Sequence, residues 1–128
     1  PMVNIVRQPG AGRNFETLGE DPLLAASLVS AQVKGVQANG LIATVKHFAA
    51  NNFEQGRMGI NVLIDERTLN EIYLPAFTAA VNAGAGSVMG AYNKINGTYC
   101  CENRPLSGAA GTFTTKYGRC CPCNRLLA

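Results

Sequence analysis

A chain of 128 residues with an apolar share of 47% is long enough to bury the core of one domain. Its net charge of +3 is mild, and its charged share of 15% lies well below the roughly 25% of ordinary soluble domains. The basic residues are scattered, which argues against a nucleic-acid stripe, and every apolar run is interrupted before the ~20 residues of a membrane span.

The chain opens with a short extended run, Val3-Asn4-Ile5-Val6, and a Gly/Pro-rich loop, Pro9-Gly10-Ala11-Gly12. The first residues have no basic stretch leading into a long apolar core, so no signal peptide is expected and the compartment is left open. Asp21-Pro22 starts a helix: aspartate caps the first turn, and proline costs nothing where its N–H would lack a partner anyway. Val29, Val33 and Val36 share one face of that helix, with Leu24 and Leu28 expected to widen the apolar stripe. Asn39-Gly40 ends it.

Leu41 to Val45 reads as a strand apolar enough to be covered on both faces, as parallel strands are. Asp65 and Thr68 then cap a turn, and Pro75 divides the following region into a short helix and a second one running to about Asn82. Gly84-Ala85-Gly86 breaks the chain before a third strand over Ser87 to Asn93. Strands alternating with helices predict a parallel α/β arrangement. The fold class is therefore a partial (β/α)8 TIM-type barrel of about three βα units, since a whole barrel needs roughly 250 residues. Such a piece leaves strand edges unpaired and is expected to self-associate.

In α/β barrels the functional site lies at the C-terminal lip of the strands. Arg13 follows the first strand, Lys46-His47 end the second, Arg57 lies in the next loop, and Tyr92 closes the third. His47 is the only histidine in the chain. This set offers many hydrogen-bond donors and few acceptors, which suits a hydroxyl-rich sugar or an anion. Blander readings stand beside it: Arg13 could brace its loop through Glu16 or Glu20, and Tyr92 could be a core aromatic with its hydroxyl satisfied.

The cysteines crowd the end of the chain. Cys100 and Cys101 are adjacent, and Cys120, Cys121 and Cys123 follow close together. Their odd count and spacing fit neither a disulfide framework nor the paired hooks of a zinc site, so no metal is expected. Residues 1–108 are read as the barrel piece and 109–128 as an atypical Cys-rich tail foreign to it. Asn96-Gly97-Thr98 has the form of a glycosylation acceptor.

Ordered motifs carry a resemblance. Gly12-Arg13-Asn14-Phe15-Glu16, Gly19-Glu20-Asp21-Pro22, Lys46-His47-Phe48-Ala49-Ala50-Asn51-Asn52, Asp65-Glu66-Arg67-Thr68-Leu69 and Met89-Gly90-Ala91-Tyr92-Asn93 resemble the family three glycoside hydrolases. The likeness is greatest to the bacterial β-glucosidases and β-xylosidases and covers residues 3 to 106. It implies a retaining exo-acting β-glycosidase with no cofactor, in which Arg13, Lys46, His47, Arg57 and Tyr92 bind the sugar. It also implies an aspartate nucleophile near position 124 and an acid/base carboxyl from a second domain. The chain has no aspartate after Asp65 and no tryptophan, so no catalytic residue is assigned.

A reading-frame slip near Ser107 to Thr112 would account for both the cysteines and the lost aspartate, and the nucleotide sequence tests it. The alternative function is a non-catalytic carbohydrate-binding pseudoenzyme module. A metal- or thiol-reactive protein using the cysteine tail is a weaker third reading.

Overall fold

The computed structural model describes residues 1–103 and 106. The expectations for the Cys-rich tail, for position 124 and for the reading-frame slip lie outside them. The elements in chain order are helix α1 (Pro22–Ala38), strand β1 (Thr44–Phe48), strand β2 (Asn61–Val62), helix α2 (Glu66–Thr68), helix α3 (Pro75–Asn82), and strands β3 (Ser87–Gly90), β4 (Lys94–Ile95) and β5 (Thr98–Tyr99). Between α2 and Pro75 the chain makes one wide turn over Leu69–Tyr73, closed by the Leu74 N–H on the Leu69 carbonyl at 3.0 Å. A bond spanning five residues is the mark of a π turn.

The parallel layer is built around β1. On one side it pairs with β3, Thr44 opposite Ser87 and Val45 opposite Val88, with a register shift before Phe48 meets Gly90. On the other it takes the N-terminal run: Met2 bridges Lys46 in parallel, the Val3 N–H donates to the Lys46 carbonyl at 2.9 Å, and the Lys46 N–H donates to the Pro1 carbonyl at 2.9 Å. Three parallel segments side by side, with α1 and α3 packed together on the connections, give the expected partial barrel. The first segment is a bridge of Met2 rather than a full strand over Val3 to Val6.

Two expectations are corrected. The second strand starts at Thr44, not Leu41; Leu41 and Ile42 are exposed and Lys46 and His47 lie within β1 itself. The tight approach here is made by Gly86, where a Cβ would stand 2.9 Å from Ile42 Cγ2. The apolar stripe of α1 is also narrower than its leucines suggest. Ala25, Val29 and Val33 are buried and Val36 packs at the margin, while Leu24 and Leu28 face outward at 51% and 45% exposure.

The Asp21 carboxylate caps α1, accepting from the Leu23 N–H at 2.8 Å, and Pro22 occupies the first turn. Gly40, at φ 75, lets the chain turn back after the helix. Asp65 caps α2 through the Thr68 N–H at 2.9 Å. The core runs from Val29 and Val33 through Val45, Phe48 and Phe77 to Val88, with Phe48 and Phe77 edge to face at 5.1 Å.

A small second sheet was not anticipated. β2 pairs parallel with β4, and β4 pairs antiparallel with β5. The hairpin turns on Asn96 (φ 48) and Gly97 (φ 90), the Asn-Gly signal of a tight hairpin loop. The Asn96 side chain locks this sheet to the chain before α2, donating to the Ile64 carbonyl at 2.7 Å and accepting from the Ile64 N–H at 3.1 Å.

Candidate functional site

The C-terminal end of β1 carries the chemistry. Strand alternation sends Val45 into the core and leaves Lys46 half-buried. His47 is buried at 2% exposure, and the Lys46–His47 and Phe48–Ala49 peptide bonds are cis. The backbone of His47 is gripped by Asn4: the Asn4 Nδ2 donates to its carbonyl at 2.9 Å, and its N–H donates to Asn4 Oδ1 at 2.9 Å. An asparagine inside the apolar run Val3-Asn4-Ile5-Val6 is the sequence signal for this clamp.

Arg13, Lys46, His47, Arg57 and Tyr92 are all brought together, joined through carboxylates that the sequence reading did not place in the site. Glu16 accepts from Arg13 Nε at 2.5 Å and pairs with Lys46 Nζ at 3.0 Å. Glu54 pairs with Arg57 Nη1 at 2.6 Å and lies 3.8 Å from Arg13 Nη1. The Arg57 guanidinium stands over the Tyr92 ring, 4.1 Å from its centroid, and the Tyr92 and His47 rings lie 5.9 Å apart. The bracing role for Arg13 is therefore real, through Glu16 and not Glu20. Both it and a ligand role are open to the same guanidinium, which keeps several N–H groups. Tyr92 is half-buried and in contact with the charged cluster, so it is no simple core aromatic.

The electrostatics follow from this packing. Burial, then the cations of Arg13 and Lys46, hold the His47 pKa down at about 4 from an ordinary 6.5, so the ring is neutral at pH 7. The Arg13 hydrogen bond, with help from Lys46, keeps the Glu16 carboxyl below its ordinary range, and the same bond raises Arg13. His47 Nε2 lies 3.4 Å from Arg13 Nη1. Arginine nitrogens only donate, so Nε2 is the acceptor and the ring proton belongs on Nδ1. That nitrogen is buried with no partner among the described residues. Arg13, Lys46 and Arg57 stand against Glu16 and Glu54, a donor-rich surface suited to binding hydroxyl oxygens. No group of three metal-ligating side chains gathers among the described residues, and no helix there is long and apolar enough to cross a membrane.

Comparison with known proteins decides the lineage. The sequence profile of the glycosyl hydrolase family 3 N terminal domain matches residues 1–114. The chain belongs to that family. This family 3 sequence is 53% identical over 107 residues to thermostable beta-glucosidase B of Acetivibrio thermocellus, covering 83% of the chain and 14% of the relative. It is 46% identical over 107 residues to a beta-glucosidase of Kluyveromyces marxianus, covering 83% of the chain and 13% of that protein. The family 3 fold is seen again in the beta-glucosidase DesR from Streptomyces venezuelae, crystallised with D-glucose, at a TM-score of 0.85 and 47% identity. That likeness covers 91% of this chain and 15% of the DesR chain. The neighbours are β-glucosidases, and the partial barrel of this family 3 chain corresponds to a small part of their length.

Proposed function

We propose that this chain carries the sugar-binding lip of a retaining exo-acting β-glycosidase that hydrolyses terminal β-glucosides or β-xylosides. The observation that carries the reading is the convergence of Arg13, Lys46, His47, Arg57 and Tyr92 on one end of the parallel layer. Arg13 and Lys46 donate to hydroxyl oxygens, and neutral His47, its Nε2 accepting from Arg13, steadies that guanidinium at the lip without adding charge. Tyr92 offers an aromatic edge with a polar tip. The glucose held by the β-glucosidase of Streptomyces venezuelae supports a monosaccharide as the ligand.

The retaining reaction needs an aspartate to attack the anomeric carbon and a second carboxyl to protonate the leaving oxygen. Neither is assigned to a residue of this chain. Glu16 is held below the ordinary carboxylate range by Arg13 and Lys46, which leaves it ionised and unsuited to delivering a proton, and Glu54 is engaged by Arg57. Residues 1–108 form the barrel piece in this reading, and 109–128 are foreign to it. Unpaired barrel edges are expected to bring copies of the chain together.

The test is paired. Glucose titrated into the 15N-labelled chain should shift signals of Arg13, His47 and Tyr92, while p-nitrophenyl β-glucoside and β-xyloside stay unhydrolysed. Binding should be lost in His47→Ala. Hydrolysis that disappears in the same variant would overturn the assignment of no catalytic residue, and unchanged signals with glucose would overturn the sugar site.

A further inference from the structure

Glu54 joins the two loops that carry the arginines. Its N–H donates to the Ala11 carbonyl at 3.0 Å, tying the loop after β1 to the loop before Arg13. The approach depends on Gly12, whose φ of 96° suits glycine and where a Cβ would stand 3.0 Å from Glu54 Cβ. The carboxylate is then fully engaged. One oxygen accepts from Arg57 Nη1 at 2.6 Å. The other accepts from the buried Asn51 side chain at 3.2 Å and lies 3.8 Å from Arg13 Nη1.

We propose that Glu54 is a positioning residue for the sugar site: it holds Arg57 over Tyr92 and draws the Arg13 guanidinium across His47. The proposal rests in part on the sugar-binding reading. Without a carboxylate between them, the Arg13 and Arg57 guanidinium groups would repel, and each long side chain would regain rotamers pointing to solvent. Glu16 cannot substitute, because its oxygens are taken by Arg13 and Lys46. A planar carboxylate facing a guanidinium sets direction as well as charge, so the role falls to Glu54 and not to a generic acidic residue.

The experiment is NMR on the full chain and its Glu54→Gln and Glu54→Asp variants. Three readouts are taken: the nuclear Overhauser contact between Arg57 and the Tyr92 ring, the titration midpoint of His47, and the glucose dissociation constant. His47 gives one imidazole signal because it is the only histidine. Glu54 is among the charges that raise the His47 midpoint. Glu54→Gln should therefore lose the ring contact, move that midpoint below about 4, and weaken glucose binding by about tenfold. Glu54→Asp keeps the charge and should recover part of the affinity.

A folded Glu54→Gln variant with the ring contact and midpoint unchanged would overturn the proposal. If wild type shows the ring contact and Glu54→Gln loses it, but neither binds glucose, the positioning stands and the sugar reading falls. Where Glu54→Gln does not fold, Glu54→Asp carries the test: its shorter arm should weaken the Arg57–Tyr92 ring contact, and a contact and His47 midpoint both equal to wild type would overturn the proposal.

Discussion

The lip of the parallel layer and the outer face of α1 contrast in the reverse of the usual sense. The lip is crowded with charge, yet its groups are half-buried and partnered: Arg13 with Glu16, Lys46 with Glu16, Arg57 with Glu54. The outer face of α1 is apolar, yet Leu23, Leu24 and Leu28 stand in solvent at 74%, 51% and 45% exposure. Charge is kept inside where it can be neutralised pair by pair, because an ion buried without a partner costs far more than an exposed leucine. Exposed leucines cost little by comparison, since much of any folded surface is apolar.

The contrast breaks most sharply at the lip. Asn4→Ala removes both hydrogen bonds to the His47 backbone and strands a buried N–H and carbonyl. A loss of about 2–4 kcal/mol in urea-unfolding free energy is expected, and a loss below the range of ordinary surface substitutions would show that the clamp is not what seats β1. The pH dependence comes next. His47 titrates at about 4 in the fold against 6.5 ordinarily. Between those values the unfolded chain takes up a proton that the folded one refuses. Stability contributed by keeping His47 neutral is therefore full above pH 6.5, and falls as pH drops toward 4. In His47→Gln this part of the slope should vanish, while the acid loss from Glu16, whose carboxyl is held below its ordinary range, remains.

On the α1 side the effects are smaller. Asp21→Ala deletes the cap on the Leu23 N–H and should cost about 1 kcal/mol of stability. Leu24→Lys with Leu28→Lys should change monomer stability by no more than about 0.5 kcal/mol each. A large stability loss in the leucine variant would mean that this face is packed and the contrast is false.

Much of this outline was legible in the chain. The Asp21-Pro22 start and Asn39-Gly40 stop of α1, the break at Pro75 and the glycine turn at Gly84 are local signals, set by caps and backbone freedom that a few residues decide. What misled was apolarity without position. Leu41 and Ile42 looked like the start of a buried strand, and Leu24 and Leu28 like core, because hydrophobicity alone does not say which face of an element will find a neighbour. The Asn96-Gly97 hairpin was visible as a motif, but its flanking strands have two residues each, too short for any periodicity.

The sequence by itself determined the family, the alternating order of strand and helix, and which donors gather at the lip, because motif order and strand ends are properties of the chain taken in line. Only the tertiary structure decided what joins those donors across loops. Arg13–Glu16 and Arg57–Glu54 are three residues apart and local, but folding added the cross-links, Lys46 Nζ on Glu16 at 3.0 Å and Glu54 at 3.8 Å from Arg13 Nη1. A pair three residues apart can be read along the chain, whereas one that joins two loops depends on a distance that exists only once the strands have paired.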